Sequence, residues 1–531
     1  MSRLTRREFM RASLAGGVGM GFLGCGGVMD FGNRVRRPNI IIIMADDLGY
    51  SDLGCYGSEI STPNLDRLAR GGVRFTNFYN AARCCPSRAS LLTGLHPHQA
   101  GVGAMVKFER AEEENAYQGY LNNHSVTLAE VLKGAGYKTM ISGKWHVGEM
   151  RGQWPVDKGF DHHYGLVSGA MNYFDIDKSK PGMERIFAVD DKRIKPPNED
   201  FYATDAFTDA AVDYLDKEGR DDKPFFLYLA YTAPHYPLHA KEEDIQKYKG
   251  RYMEGWEKLR EERYARMQQI GVITEKHKLS PLDERNVTWD EVEDKEEMDL
   301  KMAIYAGQVE SMDRGIGRVL DKVTELGKTD DTLVVFLSDN GACAETGPLG
   351  GVWRERTGPL GGVDSYESYG LCWANAGNTP YRKFKQFTHE GGILTPFIAS
   401  WPRVIEDAGG IVREQGYIVD MMATLCDITG AEYPRRYKGH EILATEGKSL
   451  LPLLAGRKRS GHEVMCWEHI GNKAVWRDSW KLVKRGKQDW ELYHLDEDPT
   501  ELNDLAKKMP EKIVELENDY LDWSLRCGAR V

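Results

Sequence analysis

Four short runs of the chain are apolar almost without interruption: NIIIIM (Asn39–Met44), YKTMISG (Tyr137–Gly143), PFFLYLAY (Pro224–Tyr231) and TLVVFLS (Thr332–Ser338). A strand with one wet face alternates apolar and polar residues, so continuous runs of this length predict strands buried on both faces, as in a parallel sheet. Between them apolar positions recur at helical spacing. In STPNLDRLARGG, Thr62 is placed to cap a helix, Pro63 to open it and Gly71 to end it. SVTLAEVLKGAG and the long segment Met298–Gly327 repeat that logic. Strands alternating with helices predict an α/β fold: a large, doubly wound, mostly parallel sheet with helices on both faces.

The residues just after each run carry chemistry. The four strands lead into Asp46-Asp47, Lys144-Trp145-His146, His235 and Asp339-Asn340. Open α/β sheets bind ligands outside the carboxyl ends of their strands, so four strands deliver polar groups to one edge.

Elsewhere the pattern changes. Residues 241–301 are densely charged and predict a solvated helical excursion, with a lid or substrate-shaping insertion as the alternative. Beyond Pro402, the segments AVWRDSWKLVKRG and WELYHLDEDPTELNDL and a final amphipathic helix predict a short antiparallel sheet packed with a helix. This divides the chain into an α/β domain over 36–430 and a C-terminal subdomain over 431–531, docked without a flexible linker. At 531 residues the chain exceeds what one core usually serves, which agrees with two units.

A net charge of −11 excludes general nucleic-acid binding, which needs a basic face; an anionic substrate would have to be drawn by a local basic cluster. Nine cysteines spread over such a length make no disulfide scaffold, and their odd number implies that one has another fate. Residues 1–35 are expected to be an export signal and short linker. Arg6-Arg7, with Phe9 two residues on, precedes an apolar run too short to span a membrane, which takes roughly 20 residues. This resembles a twin-arginine signal, so the twin-arginine export machinery is an expected partner and the periplasm or cell envelope the expected location. FLGC (Phe22–Cys25) is similar to a bacterial lipobox, which would make a lipid anchor on Cys25 the sole membrane contact; the alternative is an ordinary cleaved signal.

Asp46, Asp47, Asp339 and Asn340 offer three carboxylates and an amide oxygen, a hard set suited to Ca²⁺ or Mg²⁺ rather than Zn²⁺. Either pair alone could equally be a helix cap or a turn, and the spacing does not choose between the two ions. Cys84, just before Pro86 at a predicted helix start, reads as a nucleophile beside Arg88 or as a buried structural thiol.

CCPSRASLLTG (Cys84–Gly94) resembles the signature of the type I sulfatases, in the alkaline-phosphatase-like superfamily. The segments MADDLGYSDLGCYG, GKWHVG, PHYPLH, SDNG and KQFTHEGGILTP stand in that family's order, so the resemblance runs from about residue 37 to the C-terminus. It implies that Cys84, with Cys85 at the variable position, is oxidised to Cα-formylglycine by a maturation enzyme during or soon after synthesis; the expected twin-arginine export would place that step in the cytoplasm, before folding buries the residue. Asp46, Asp47, Asp339 and Asn340, with residue 84, would then hold one divalent cation, Ca²⁺ in most members. The hydrated aldehyde is a geminal diol: one hydroxyl attacks sulfur, and the other expels sulfate as the aldehyde reforms. Arg88 would hold the modified residue and metal-facing oxygens, Lys144 would contact the diol and sulfate, and His146 would take the proton for release. His235 would protonate the leaving alcohol and Lys385 clamp the sulfate. His389 stands where many relatives carry an aromatic residue.

The resemblance implies a sulfuric ester hydrolase, and the expected export points to a sulfated carbohydrate from outside the cell as its substrate, with aryl sulfates as incidental substrates. The alternatives are a formylglycine-dependent phosphonate or phosphodiester hydrolase and a catalytically silent glycan-binding protein. GAMNYFD (Gly169–Asp175) and TGPLGGVDSYESYG (Thr357–Gly370) are expected to line the substrate side.

Overall fold

The computed structural model describes residues 37–107, 109, 111–180, 182–197, 199–353 and 355–531, so the predicted export signal and Cys25 lie outside the described residues. Residues 37–531 form one compact unit.

All four apolar runs are strands, and they sit together. β1 (Asn39–Ala45) lies at the centre of an eleven-stranded sheet. The other ten are β2 (Val73–Tyr79), β3 (Lys138–Gly143), β4 (His162–Leu166), β5 (Phe187–Val189), β6 (Lys192–Ile194), β7 (Phe225–Ala230), β8 (Thr332–Ser338), β9 (Leu394–Ser400), β10 (Gly410–Val412) and β11 (Gly416–Tyr417). The order is β10-β2-β9-β8-β1-β7-β3-β4-β5-β6, with β11 extending the β2 edge. β8, β1, β7, β3 and β4 run parallel, while β9 inserts antiparallel between β8 and β2. Each residue of β1, β7 and β8 is buried, which is why these strands read as unbroken apolar runs. Parallel register places the ends of β1 and β8 side by side, Ala45 opposite Ser338, so Asp46-Asp47 and Asp339-Asn340 emerge together.

One helix is capped differently from the sequence reading. Pro63–Arg70 is a helix, but the Thr62 hydroxyl makes no cap bond and turns to Asp66 instead. The free N–H groups of Asn64 and Leu65 donate to the carboxylate of Asp313, at 3.1 and 2.8 Å, from the long helix Lys295–Glu325. A distant carboxylate thus supplies what the local hydroxyl was expected to give.

The charged excursion is also less solvated than expected. In its helix Gly255–Gln269, Arg263 is fully buried, pairing with Asp52 and with Glu59 at 2.8 Å, and Trp256 packs edge-on against Trp289 and Trp373. Arg260 and Arg263 share the buried face of this helix with Trp256, Leu259 and Met267, so part of its charge is carried into the core.

The C-terminal hairpins are β14 (Val464–His469), β15 (Asn472–Arg477), β16 (Trp480–Lys484) and β17 (Trp490–His494), reached after a two-residue pair, β12 (Arg436–Tyr437) and β13 (His440–Glu441). β14–β17 form an antiparallel sheet that buries both faces. Cys466, Val475, Leu482 and Leu492 meet Leu516, Tyr520 and Trp523 of the last helix, Pro510–Cys527. The alternate positions Met465, Trp467, Ala474, Trp476, Val483 and Tyr493 join the main core. Period-two side-chain alternation therefore welds this sheet to the rest.

Candidate active site

At the carboxyl edge of the sheet the sequence-predicted residues converge. Cys84 begins the helix Cys84–Thr93, where unpaired backbone N–H groups favour negative charge, and it is almost wholly buried. The sulfurs of Cys84 and Cys85 and a ring nitrogen of His146 lie within 4.8 Å of one another, as do side-chain atoms of Asp46, Asp47 and His235. A hydrogen bond from Cys85, with Lys144 and His146 nearby, holds the Cys84 thiol well below the usual range. Asp47 and His146 both adopt left-handed backbone conformations (φ 67° and 56°), a cost that non-glycine residues bear where surrounding structure demands it. Gly169 makes room for the imidazole: a Cβ there would stand 2.4 Å from His146 Nε2.

The acidic residues are knit to cations. Lys144 Nζ donates to Asp46 Oδ2 at 2.6 Å. Arg88 donates through Nε and Nη2 to Asp339 Oδ2 at 3.1 and 2.8 Å, through Nη1 to the Lys144 carbonyl, and lies 3.8 Å from Asp46. Its contacts are therefore with the acidic cluster, the metal-facing part of its expected role. Lys385 Nζ donates to Asp47 Oδ2 at 2.9 Å and to His235 Nε2 at 3.3 Å. Burial would raise the Asp47 carboxyl, but His235 and Lys385 beside it outweigh that and bring it down to about 2. Burial pushes Asp339 well up and raises Asp46 as well, each aggravated by a neighbouring carboxylate.

Two oxygens in this cluster have no partner. Asp46 Oδ1 and Asn340 Oδ1 are buried without a hydrogen bond, while Asn340 Nδ2 donates to Asp47 Oδ1 at 2.7 Å. Buried oxygens are rarely left so. Unsatisfied acceptors among crowded carboxylates form an all-oxygen set that fits a hard divalent cation.

His146 and His235 are both pushed down to about 4 by burial, and so are neutral at pH 7. His235 Nδ1 faces the Tyr236 carbonyl, which assigns the ring proton to Nδ1 and leaves Nε2 toward Lys385 and Asp47. Its ring stacks on Tyr236 at 4.5 Å. Tyr236 is in turn fixed by its hydroxyl on Glu345 (2.8 Å), a carboxylate that also accepts from Arg83 and Gln386.

Cys84, His146, His235 and Lys385 open onto a cavity of about 560 Å³. Of GAMNYFD, only Gly169 and Ala170 border it; the Tyr173 hydroxyl instead braces the Thr232 and His235 carbonyls. TGPLGGVDSYESYG does not line it. Pro359–Val363 border a separate depression, and the wall expected from that segment is built by Thr346 and Trp353 just upstream. No residue of the charged stretch 241–301 borders this cavity, so it forms no lid here. Sequence reasoning missed Arg83, Lys180, Arg185, Glu345 and Trp353, which carry no motif, and Tyr236, which lies within PHYPLH beside His235.

The sulfatase family model matches residues 38–431, and a model described as N-sulphoglucosamine sulphohydrolase, C-terminal, matches 381–520. The chain is 33% identical over 439 residues to the arylsulfatase of Klebsiella aerogenes, covering 80% of this chain and 94% of that one. It is 35% identical over 529 residues to an uncharacterized sulfatase of Schizosaccharomyces pombe, covering 93% and 94%. Among solved structures, Ps i-CgsB in complex with k-i-k-neocarrahexaose superposes with a TM-score of 0.68 at 26% identity, covering 92% of this chain and 93% of that one.

Proposed function

Since the chain belongs to the type I sulfatases of the alkaline-phosphatase-like superfamily and is a sulfuric ester hydrolase, we propose that it removes sulfate from an exogenous sulfated glycan, using Cα-formylglycine derived from Cys84 and one bound divalent cation, Ca²⁺. The observation that carries this reading is Cys84 at a helix N-terminus beside a cluster whose Asp46 Oδ1 and Asn340 Oδ1 lack partners. The bound oligosaccharide of Ps i-CgsB supports a glycan substrate.

Asp46, Asp47, Asp339, Asn340 and residue 84 would hold the cation, which supplies charge neutralisation and a lowered nucleophile pKa. Formylglycine, hydrated, supplies a nucleophilic hydroxyl and a second one that lets sulfate leave as the aldehyde reforms. The protein's own groups do the rest. Arg88 and Lys144 neutralise Asp339 and Asp46, and Lys144 also reaches toward the diol and sulfate. His146, neutral through burial, accepts the proton that frees sulfate. His235 protonates the leaving alcohol, the charge of an anionic substrate favouring its protonated imidazole, and Lys385, hydrogen-bonded to it, clamps the sulfate. Twin-arginine export to the periplasm or cell envelope, with maturation of Cys84 beforehand and a lipid anchor at Cys25, completes the reading.

Mass spectrometry of the Cys84–Arg88 peptide from protein made in its own host tests it. Formylglycine at position 84 is expected. An unmodified thiol in mature protein would overturn the mechanism and favour a silent glycan binder; faster turnover of matched phosphate diesters than of sulfate esters would favour the phosphodiesterase alternative.

A further inference from the structure

The cavity beside Cys84 carries more positive charge than sulfate transfer employs. Arg83, Lys180, Arg185 and Lys385 line it against a single carboxylate, Glu345. Lys385 is engaged by Asp47 and Arg83 by Glu345. Arg185 and Lys180 are not engaged in this way: among the described residues, no carboxylate forms an ion pair with either. Arg185 donates to the Met183 sulfur at 3.5 Å and neighbours the Tyr366 hydroxyl, and its Nε is buried without a partner. Glu149 feels its charge at a distance but is hydrogen-bonded to Ser168. The Lys180 ammonium sits 3.4 Å over the Trp353 ring. That ring lies nearly parallel to Tyr236 (6.3 Å, 11°), which stacks on His235. A flat aromatic wall thus leads from the reaction centre to two cations.

Partly buried cations without counter-ions are costly, and in a protein of net charge −11 partners were available; a site that keeps them bare is built to receive an anion. Arginine in particular suits carboxylate and sulfate-like oxyanions, because its planar fork donates two parallel hydrogen bonds. We infer that Arg185 and Lys180 form a second anion subsite, so that the substrate is a sulfated oligosaccharide bearing a further sulfate or carboxylate near the ester that is cleaved, with a sugar ring lying along Tyr236 and Trp353. This rests on the sulfatase function of the Cys84 centre.

The test compares kcat/KM for three matched disaccharides: one monosulfated, one disulfated, and one monosulfated with a uronic acid. The wild type should prefer a two-anion substrate by about ten- to a hundredfold, the range for a charge-assisted pair. Arg185→Gln and Lys180→Gln should each cut that ratio, mainly through KM, and Arg185→Lys should retain part of it. Whichever second anion wins, sulfate or carboxylate, identifies the group bound. Equal turnover of all three by the wild type, or parallel loss on all three in both Gln variants, would overturn the subsite. Failure of the wild type on p-nitrophenyl sulfate and on every disaccharide would instead overturn the sulfatase reading beneath it.

Discussion

Lys481→Met removes the cation at the centre of a buried cluster that ties the C-terminal sheet to the segment carrying Lys385. Lys481, on β16, donates to Glu390 at 2.6 Å and lies 2.8 Å from Glu501, with all three side chains at or below 4% exposure. Glu390 also accepts from Tyr79 and opens the short helix five residues after Lys385; its backbone N–H donates to Glu501. Removing the ammonium strands two carboxylates in low dielectric, so the loss should be about 3–5 kcal/mol, the range for breaking a buried pair. The pH dependence gives a signature. Without Lys481 both folded carboxyls have pKa values above their unfolded value of about 4.3. A raised acid destabilises the fold as pH rises, so the deficit must shrink as pH falls from 7.5 to 5. Urea denaturation followed by tryptophan fluorescence, to which Trp467, Trp476, Trp480 and Trp490 of this sheet contribute among the chain's twelve tryptophans, reads the change. A deficit under about 1 kcal/mol, well below the range for a broken buried pair, or one independent of pH, would refute the reasoning.

Three further outcomes are expected. Cys84→Ser should release one equivalent of alcohol per enzyme and then stop, with sulfate retained on the protein, because serine lacks the second hydroxyl; steady turnover in a burst assay would contradict the diol. Chelation followed by dialysis should abolish activity and lower Tm, and ion occupancy at a hundredfold its Kd should restore about 2.7 kcal/mol; titrating Ca²⁺ and Mg²⁺ separately identifies the ion, and Asp47→Asn should weaken its binding. His163, His239 and His469 are pushed down by burial to about 3, 4 and 3, while the unfolded chain protonates them near pH 6.5. Unfolding therefore takes up protons, and stability should fall as pH drops from about 6.5 toward 4, with each histidine adding about 1.4 kcal/mol per pH unit. His163→Gln should flatten the urea-midpoint profile by one such increment.

What the sequence disclosed was local chemistry coupled to strong periodicity. Continuous apolar runs can be satisfied only by strands buried on both faces, and the polar residues after each run could go only to the sheet's carboxyl edge. Asp46, Asp47, Lys144, His146, His235, Asp339 and Asn340 were therefore legible together, while Cys84, Arg88 and Lys385 were joined to them by the resemblance to the type I sulfatases. Beyond that edge, sequence spacing carries little information. TGPLGGVDSYESYG was read as substrate-facing on its glycines and tyrosines, yet the folded chain turns Pro359–Val363 to another depression.

The sequence by itself determined four of the eleven strands of the main sheet, several of the helices between them, the C-terminal sheet-and-helix pattern, the order of the motifs and the residue types at the reaction centre, because these depend on short-range periodicity and side-chain chemistry. Only the tertiary structure decided which partners those residues take: Lys385 meets Asp47 across 338 positions, Asp313 caps a helix 249 positions away, and Lys481 holds Glu390 from another sheet. It also decided that Arg185 and Lys180 stand, among the described residues, without carboxylate partners beside Trp353. Long-range pairings follow from how sheets and helices pack to bury apolar surface, and charges buried by that packing must find partners wherever it brings them.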